Sequence, residues 1–231
     1  MKVHKKYTLW FTLAYLFVQG CAPVYIPNAP VVFTNEKQGD VSVAFRQGAF
    51  STNVQGGYAV TENINVGANI SALYTGEGAY WNTTYDATQS LEIDLIAGYY
   101  SKFTASHLFQ INAGVGKVEV TKPSFRSQYF KGYLQPSLTF LLPNNRSQFT
   151  VITRLLGTTY ADDEDGVNTV YNPGYIEPMI DWSIGDKFQF RTQLGVSIPL
   201  SAQPRQSSSP VLFNIGIGYR FSPNRGVSTL P

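Results

Sequence analysis

The residues able to do chemistry in this sequence are few, and their placement is regular. Arg46, Glu92, Asp94, Lys131, Arg154, Glu177, Asp181, Arg191 and Arg220 each sit in a stretch where polar and apolar residues alternate. Residues two apart on a strand share a face, so each charge belongs to the polar face of its stretch. If that face points into a closed sheet, charges of mixed sign must pair, because an unpaired buried charge is costly. The expected outcome is an internal network of ion pairs that fills and stiffens the interior. The competing outcome is a narrow polar channel whose charged rings act on small solutes.

Nucleophilic and acid–base catalysis have little to work with. The chain has two histidines, His4 and His107, and one cysteine, Cys21. His4 lies in a basic N-terminal stretch. His107 has Ser106 beside it, but neighbours along a strand point to opposite faces, which makes a poor nucleophile–base pair. His107 is read as a plain turn residue. The densest charge run, Asp162-Asp163-Glu164-Asp165-Gly166, lacks the alternating ligand spacing of a calcium loop. It is read as a solvated loop tip. No catalytic residue, no metal and no cofactor is expected.

The elements that must position these residues have a period of two. Ile64, Val66, Ala68, Ile70 and Ala72 alternate with Asn65, Gly67, Asn69 and Ser71. Phe188, Phe190, Leu194, Val196 and Ile198 alternate with Gln189, Arg191, Gln193, Gly195 and Ser197, and Phe213 to Phe221 repeat the pattern. Such alternation predicts strands with one apolar and one polar face. About ten such segments are read, near 40–48, 50–60, 64–74, 90–101, 107–119, 128–142, 148–159, 173–184, 187–199 and 210–221. Connections after the second, fourth, sixth and eighth are short. Those after the third, fifth, seventh and ninth are longer and rich in Gly, Ser, Asn and Asp. Prolines at matched positions, Pro136 and Pro178, are expected to mark bulges or a protein contact. Tyr80, Trp81 and Tyr85 in a long loop are expected to form an interfacial belt.

Alternation alone does not say which face points out. Glycine and aromatic placement decide. Gly67, Gly98, Gly114, Gly116, Gly195, Gly216 and Gly218 fall on the polar face. On a wet surface they would only weaken strands; inside a narrow barrel they make room for long neighbours. The apolar face holds more large aromatics than a small barrel could enclose. Charged residues are only 14% of the chain, against about 25% in soluble domains. The expectation is an all-β, closed antiparallel transmembrane β-barrel of about ten strands, between eight and twelve, in an up-and-down meander.

The N-terminus reads separately. Lys2, Lys5 and Lys6 precede a short apolar core from Tyr7 to Val18, the pattern of a secretory signal and too short to span a bilayer. The chain has 17 Lys+Arg and 15 Asp+Glu; removing three lysines leaves 14 against 15, or net −1. That balance gives no case for nucleic acid. A single cysteine excludes an intrachain disulfide. Val18-Gln19-Gly20-Cys21 resembles a bacterial lipobox, which implies lipidation of Cys21, and Ala22 after it implies delivery to the outer membrane. The expected organisation is a signal over 1–20, an extended periplasmic tether over 21–39, a barrel over 40–222 and a tail over 223–231.

The last strand, Gly216-Ile217-Gly218-Tyr219-Arg220-Phe221, resembles the C-terminal strand that outer-membrane β-barrels present for assembly. With the lipobox and the alternation, the chain resembles the small outer-membrane β-barrel proteins of Gram-negative bacteria, as a lipoprotein variant. An even strand count puts both ends on the short-turn, periplasmic side. The function this implies is structural or interactive, as an accessory subunit of an outer-membrane complex, with membrane lipid and other outer-membrane proteins as partners. A small-solute channel is the alternative. An outer-leaflet lipid-modifying enzyme is disfavoured, because barrels resembling those enzymes use a rim histidine as base.

Overall fold

The computed structural model describes residues 28–33, 37–48, 51–75, 78–80, 83–85, 88–104, 106–122, 125–142, 147–164, 167–200 and 211–222. Cys21, the signal-like stretch before it, residues 22–27 of the expected tether and the tail 223–231 lie outside the described residues.

Ten long strands follow one another: β1 (Val41–Gly48), β2 (Ser51–Ala59), β3 (Ile64–Thr75), β4 (Thr88–Thr104), β5 (His107–Lys122), β6 (Phe125–Leu141), β7 (Ser147–Glu164), β8 (Gly174–Ile184), β9 (Phe188–Val196) and β10 (Val211–Phe221). Each pairs antiparallel with the next. β10 returns to β1, with Phe221 opposite Val41 and Ile217 opposite Phe45. The sheet is therefore a closed ten-strand meander, as the alternation predicts. Closure pairs each of these ten strands on both sides, as a membrane-spanning sheet requires.

The two faces differ completely. Leu95 is 63% exposed while its neighbour Asp94 is 1% exposed. Val43, Phe45, Ile70, Phe130, Phe190, Ile215 and Ile217 are exposed in the same way, whereas Asn53, Asn69, Gln110, Gln135 and Gln193 are buried. A soluble barrel would be the reverse. So large a continuous apolar exterior is a surface for acyl chains rather than water. Tyr58, Phe103, Trp182, Phe188 and Tyr219 cluster outward near the short-turn end, where an aromatic girdle belongs. Toward the other end of β5, the outward Lys117 and Glu119 pair at 3.0 Å and bound the apolar band.

The strands run further on the long-loop side than alternation predicts. β5 ends at Lys122 and β6 starts at Phe125, so the connection read as a long loop shrinks to residues 123–124. The acidic run lies at the end of a hairpin rather than in an irregular loop: Asp162, Asp163 and Glu164 close β7, paired with the short strand Val167–Tyr171, while Asp165 and Gly166 lie outside the described residues. The sequence there loses its two-fold pattern while the ladder continues. Another short pair, Gly78–Tyr80 with Thr83–Tyr85, lies in the β3–β4 connection; Trp81 is outside the described residues.

Neither proline makes a bulge. Pro136 sits opposite Ile111 and Pro178 opposite Thr153, with an unchanged offset on both sides. The irregularity falls between Lys102 and Thr104 instead. A backbone N–H in an antiparallel ladder faces one neighbour only. Proline therefore removes a single bond and requires no inserted residue.

Candidate functional site

The inward face is dominated by carboxamides and charges, and these converge on an unexpected object. Residues 28–33, Asn28-Ala29-Pro30-Val31-Val32-Phe33, lie inside the barrel and are all buried. Their expected place, in a periplasmic tether, is corrected for this stretch. The segment belongs to no strand, so no β ladder serves its backbone groups and they need other partners.

The wall supplies them. Six consecutive carbonyl oxygens each accept a bond from a side chain. Arg154 Nη2 donates to Asn28 at 3.1 Å, Gln55 Nε2 to Ala29 at 2.9 Å and Gln193 Nε2 to Pro30 at 3.2 Å. Gln135 Nε2 donates to Val31 at 2.7 Å, Arg191 Nη1 to Val32 at 3.1 Å and Gln110 Nε2 to Phe33 at 2.8 Å. Asn53 Oδ1 accepts from the Ala29 amide at 3.3 Å. These donors come from β2, β5, β6, β7 and β9, so the segment is held from around the barrel rather than along one wall.

Side chains of the segment are also seated. Val31 and Phe33 pack in a cluster with Ile96, Tyr133 and Leu156, while Val32 packs against Ile152, Met179 and Leu212. Gly57 and Gly67 make the space for Phe33: a Cβ on either would come within 2.6 Å of the ring's Cε1. The expectation that inward glycines accommodate long neighbours takes concrete form here. Gly116 does the same for Lys131, whose Cε would lie 2.9 Å from an added Cβ.

The charged residues form two groups. In the first, Lys131 bonds Glu92 and lies 3.0 Å from Asp94, and Arg154 lies 2.6 Å from Glu177. Asn28 joins both pairs: its Nδ2 donates to Glu92 and, at 2.8 Å, to Asp94, while Arg154 Nη1 donates to its Oδ1 at 2.7 Å. Tyr133 presents its ring to both cations, at 5.5 Å from Lys131 and 5.6 Å from Arg154. In the second group, Asp181 lies between Arg46 and Arg191, each at 2.9 Å.

The first group carries three acids and two bases, formally −1, and the second two bases and one acid, formally +1. Residues 28–33 bridge them, from Asn28 at one group to the Val32 carbonyl on Arg191 at the other. Of the nine charges read from the sequence, eight lie in these groups. Arg220 does not; it pairs with Asp186 at 2.9 Å on the exposed β8–β9 turn.

Sequence reasoning missed residues 28–33 as part of the interior. Two signals were present. Val31-Val32-Phe33 is apolar for a solvated tether, and the inward face carries more carboxamides than the charges need.

His107 is at a short turn, as read, but its relation to Ser106 is not as read. Ser106 Oγ and His107 Nδ1 are 3.0 Å apart, and Thr104 Oγ1 lies 2.6 Å from the same nitrogen. Strand alternation does not govern Ser106, because it sits in the turn and not in β5. The ring stacks on Phe103 and meets Phe140 edge-on, at 5.6 and 5.3 Å between centroids. The described residues bring no group of metal-ligating side chains together.

No protein-family model matches the chain, and no curated protein matches it in sequence. Solved structures match its fold. An outer membrane channel from Pseudomonas putida F1 aligns over 83% of this chain and all of its own, with a TM-score of 0.50 at 10% identity. The N-terminal β-barrel domain of OprF from Pseudomonas aeruginosa aligns over 80% of this chain and 98% of its own, with a TM-score of 0.40 at 10% identity. The fold is that of the outer-membrane β-barrels.

Proposed function

We propose that this protein is an outer-membrane β-barrel lipoprotein with a structural or interaction role, its lumen closed by its own residues 28–33 and the ion pairs around them. The observation that carries this reading is the run of six carbonyls bonded to side chains of five strands. A passage for solute would need that space. Each neutral bond contributes about 1 kcal/mol net, and those from guanidinium groups about 1.5–3. The segment is thus a stable part of the barrel and not a transient visitor. Lipidation of Cys21 belongs to the same reading, as do other outer-membrane proteins as partners. The apolar exterior supports membrane lipid as its surroundings, and nothing in the reading calls for a catalytic step.

Single-channel recording in planar bilayers tests it. The intact protein is expected to give no steady conductance. A deletion of residues 28–33 is expected to conduct. Stable ion-selective steps from the intact protein would replace closure with the channel reading. One observation favours that second reading: if the segment withdrew, a lumen lined by Gln55, Gln110, Asn112, Gln135 and Gln193 with charges of both signs would remain.

A further inference from the structure

The second charge group has more donors than it uses. Arg46 and Arg191 both bond Asp181, so the group is formally +1. Arg191 gives Nη1 to the Val32 carbonyl and Nη2 to Asp181, but its Nε meets no acceptor among the described residues. Gln189, two residues earlier on the same inward face of β9, likewise has no acceptor for its Nε2. The two side chains are only 3% and 2% exposed. Native interiors rarely leave such donors unmade. Both residues line one cavity of ≈ 10 Å³, together with Val32, Phe33, Ser42 and Gly218. Three strands place this cavity toward the short-turn end. On β2, descending to Ala59, Gln55 meets Ala29 and the lower Gly57 faces Phe33. On β9, rising from Phe188, Gln193 meets Pro30 and the lower Arg191 meets Val32. On β5, rising from His107, Asn112 meets Val31 at 3.4 Å and the lower Gln110 meets Phe33. Phe33 is therefore the lowest of the six, and Gln189 and Ser42 are each the second residue of a strand that begins at that end.

We propose that this cavity is a binding site for one monatomic anion, a halide such as chloride, held by Arg191 Nε and Gln189 Nε2. The sign follows from the walls. No Asp or Glu lines the cavity, and the buried side-chain atoms there without a partner are both donors. A water molecule can accept from both, but its own two hydrogens need acceptors. No buried side-chain acceptor without a partner lines the cavity. An anion needs none, and the excess positive charge of the group favours it where the dielectric is low. Size selects within the anions. There is room for about one small particle, and phosphate or sulfate would have to fit four oxygens. The space exists because residue 218 is glycine. A Cβ there would lie 3.6 Å from Arg191 Cδ and 3.7 Å from the Ala44 Cβ, both ordinary contacts. A bound anion would also steady the guanidinium that holds the Val32 carbonyl. The site shares with the proposed function only the seating of residues 28–33, since Val32 and Phe33 wall the cavity.

Two measurements on the full-length protein decide the matter. Crystals grown in sodium bromide, with data collected at the bromine absorption edge, are expected to show an anomalous peak beside Arg191 Nε and Gln189 Nε2. Urea unfolding in vesicles is compared in sodium chloride and in sodium gluconate, whose anion is too large for the cavity, at one ionic strength. Once chloride exceeds its dissociation constant, each tenfold rise is expected to lower the unfolding equilibrium constant about tenfold, and gluconate is expected to have no such effect. Gly218→Ala puts a methyl group into the cavity through ordinary contacts, and is expected to abolish both the peak and the chloride dependence. Heat-dependent gel mobility confirms that the variant has folded. If it has not, Gln189→Met removes one donor instead and is expected to raise the chloride needed at least tenfold. Density in the cavity with no anomalous signal means water, and overturns the proposal. So does equal stability in chloride and gluconate. A bromide peak without chloride dependence means an adventitious ion only, and overturns it too. Steady conductance by the intact protein would refute closure of the lumen without moving either readout.

Discussion

Arg154→Met is the sharpest test of the interior. The substitution keeps an unbranched side chain out to about the position of Nε but removes the guanidinium and with it every donor. In the structure Arg154 Nε lies 2.6 Å from Glu177, and its two terminal nitrogens bond Asn28 at 2.7 and 3.1 Å. Glu177 is fully buried, so losing its guanidinium leaves a carboxylate with an ion-pair partner gone and no bulk water to replace it. Breaking a buried pair from one side costs about 3–5 kcal/mol. Two acceptors on Asn28 are also stripped, at about 1–3 kcal/mol for each left unsatisfied. The expected total is about 5–11 kcal/mol, a large fraction of a typical fold's stability.

Adding Glu177→Gln removes the stranded charge and should recover most of the first part. The double variant is expected to be more stable than Arg154→Met alone, a positive coupling of roughly 2–4 kcal/mol in the double-mutant cycle. Urea unfolding in vesicles reads it, with the fluorescence of the outward-facing Trp182 and the mobility of unheated samples as independent probes. A single variant within about 1 kcal/mol of the original protein would refute the claim that this pair is desolvated and buttresses residue 28. A double variant weaker than the single would refute the charge argument specifically.

The other predictions probe separate links. Gly67→Leu should push Phe33 from its seat, since even a Cβ meets the ring within 2.6 Å; bilayer recording should then show openings that the unsubstituted protein lacks. Ile215→Arg, on the exterior, should cost about 2–4 kcal/mol if it lies near the membrane midplane, and loss of the heat-modifiable folded band on gels would report it. Lys117→Ala should change stability by less than about 1 kcal/mol, because its 3.0 Å pair with Glu119 is exposed; urea midpoints check this. His107→Ala should lose about 0.5–1.5 kcal/mol from its contacts with Phe103 and Phe140, with no change in the lipid A acyl pattern by mass spectrometry.

The fold was legible because one face must be greasy and the other must not. Ile64, Val66 and Ile70 against Asn65, Gly67 and Asn69 state that rule within a few residues, and the ladder places them accordingly. Where the rule lapses, reading failed. Over residues 121–127 and 160–164 polar and apolar residues no longer alternate in the sequence, so the pattern does not distinguish strand from loop, although the backbone ladder continues through them. The bulge expected at Pro136 and Pro178 failed for a different reason: a missing donor was treated as a missing register, although the ladder tolerates one without the other.

The interior was legible only as a set of residues and not as pairs. Mixed signs on one face require pairing, yet which base meets which acid depends on strand order around the barrel, and Arg46 with Asp181 spans most of the chain. Residues 28–33 were harder still. A segment bound through its backbone carbonyls leaves little trace in its own side chains, since any residue offers the same oxygen. The trace lies in the wall, where Gln55, Gln110, Gln135 and Gln193 are donors that no neighbouring strand needs. In a closed lumen a surplus of carboxamides implies something unpaired for them to hold. Here the implied object is the chain's own beginning, and the order in which those amides meet it, top to bottom on three strands, gives its direction as well as its place.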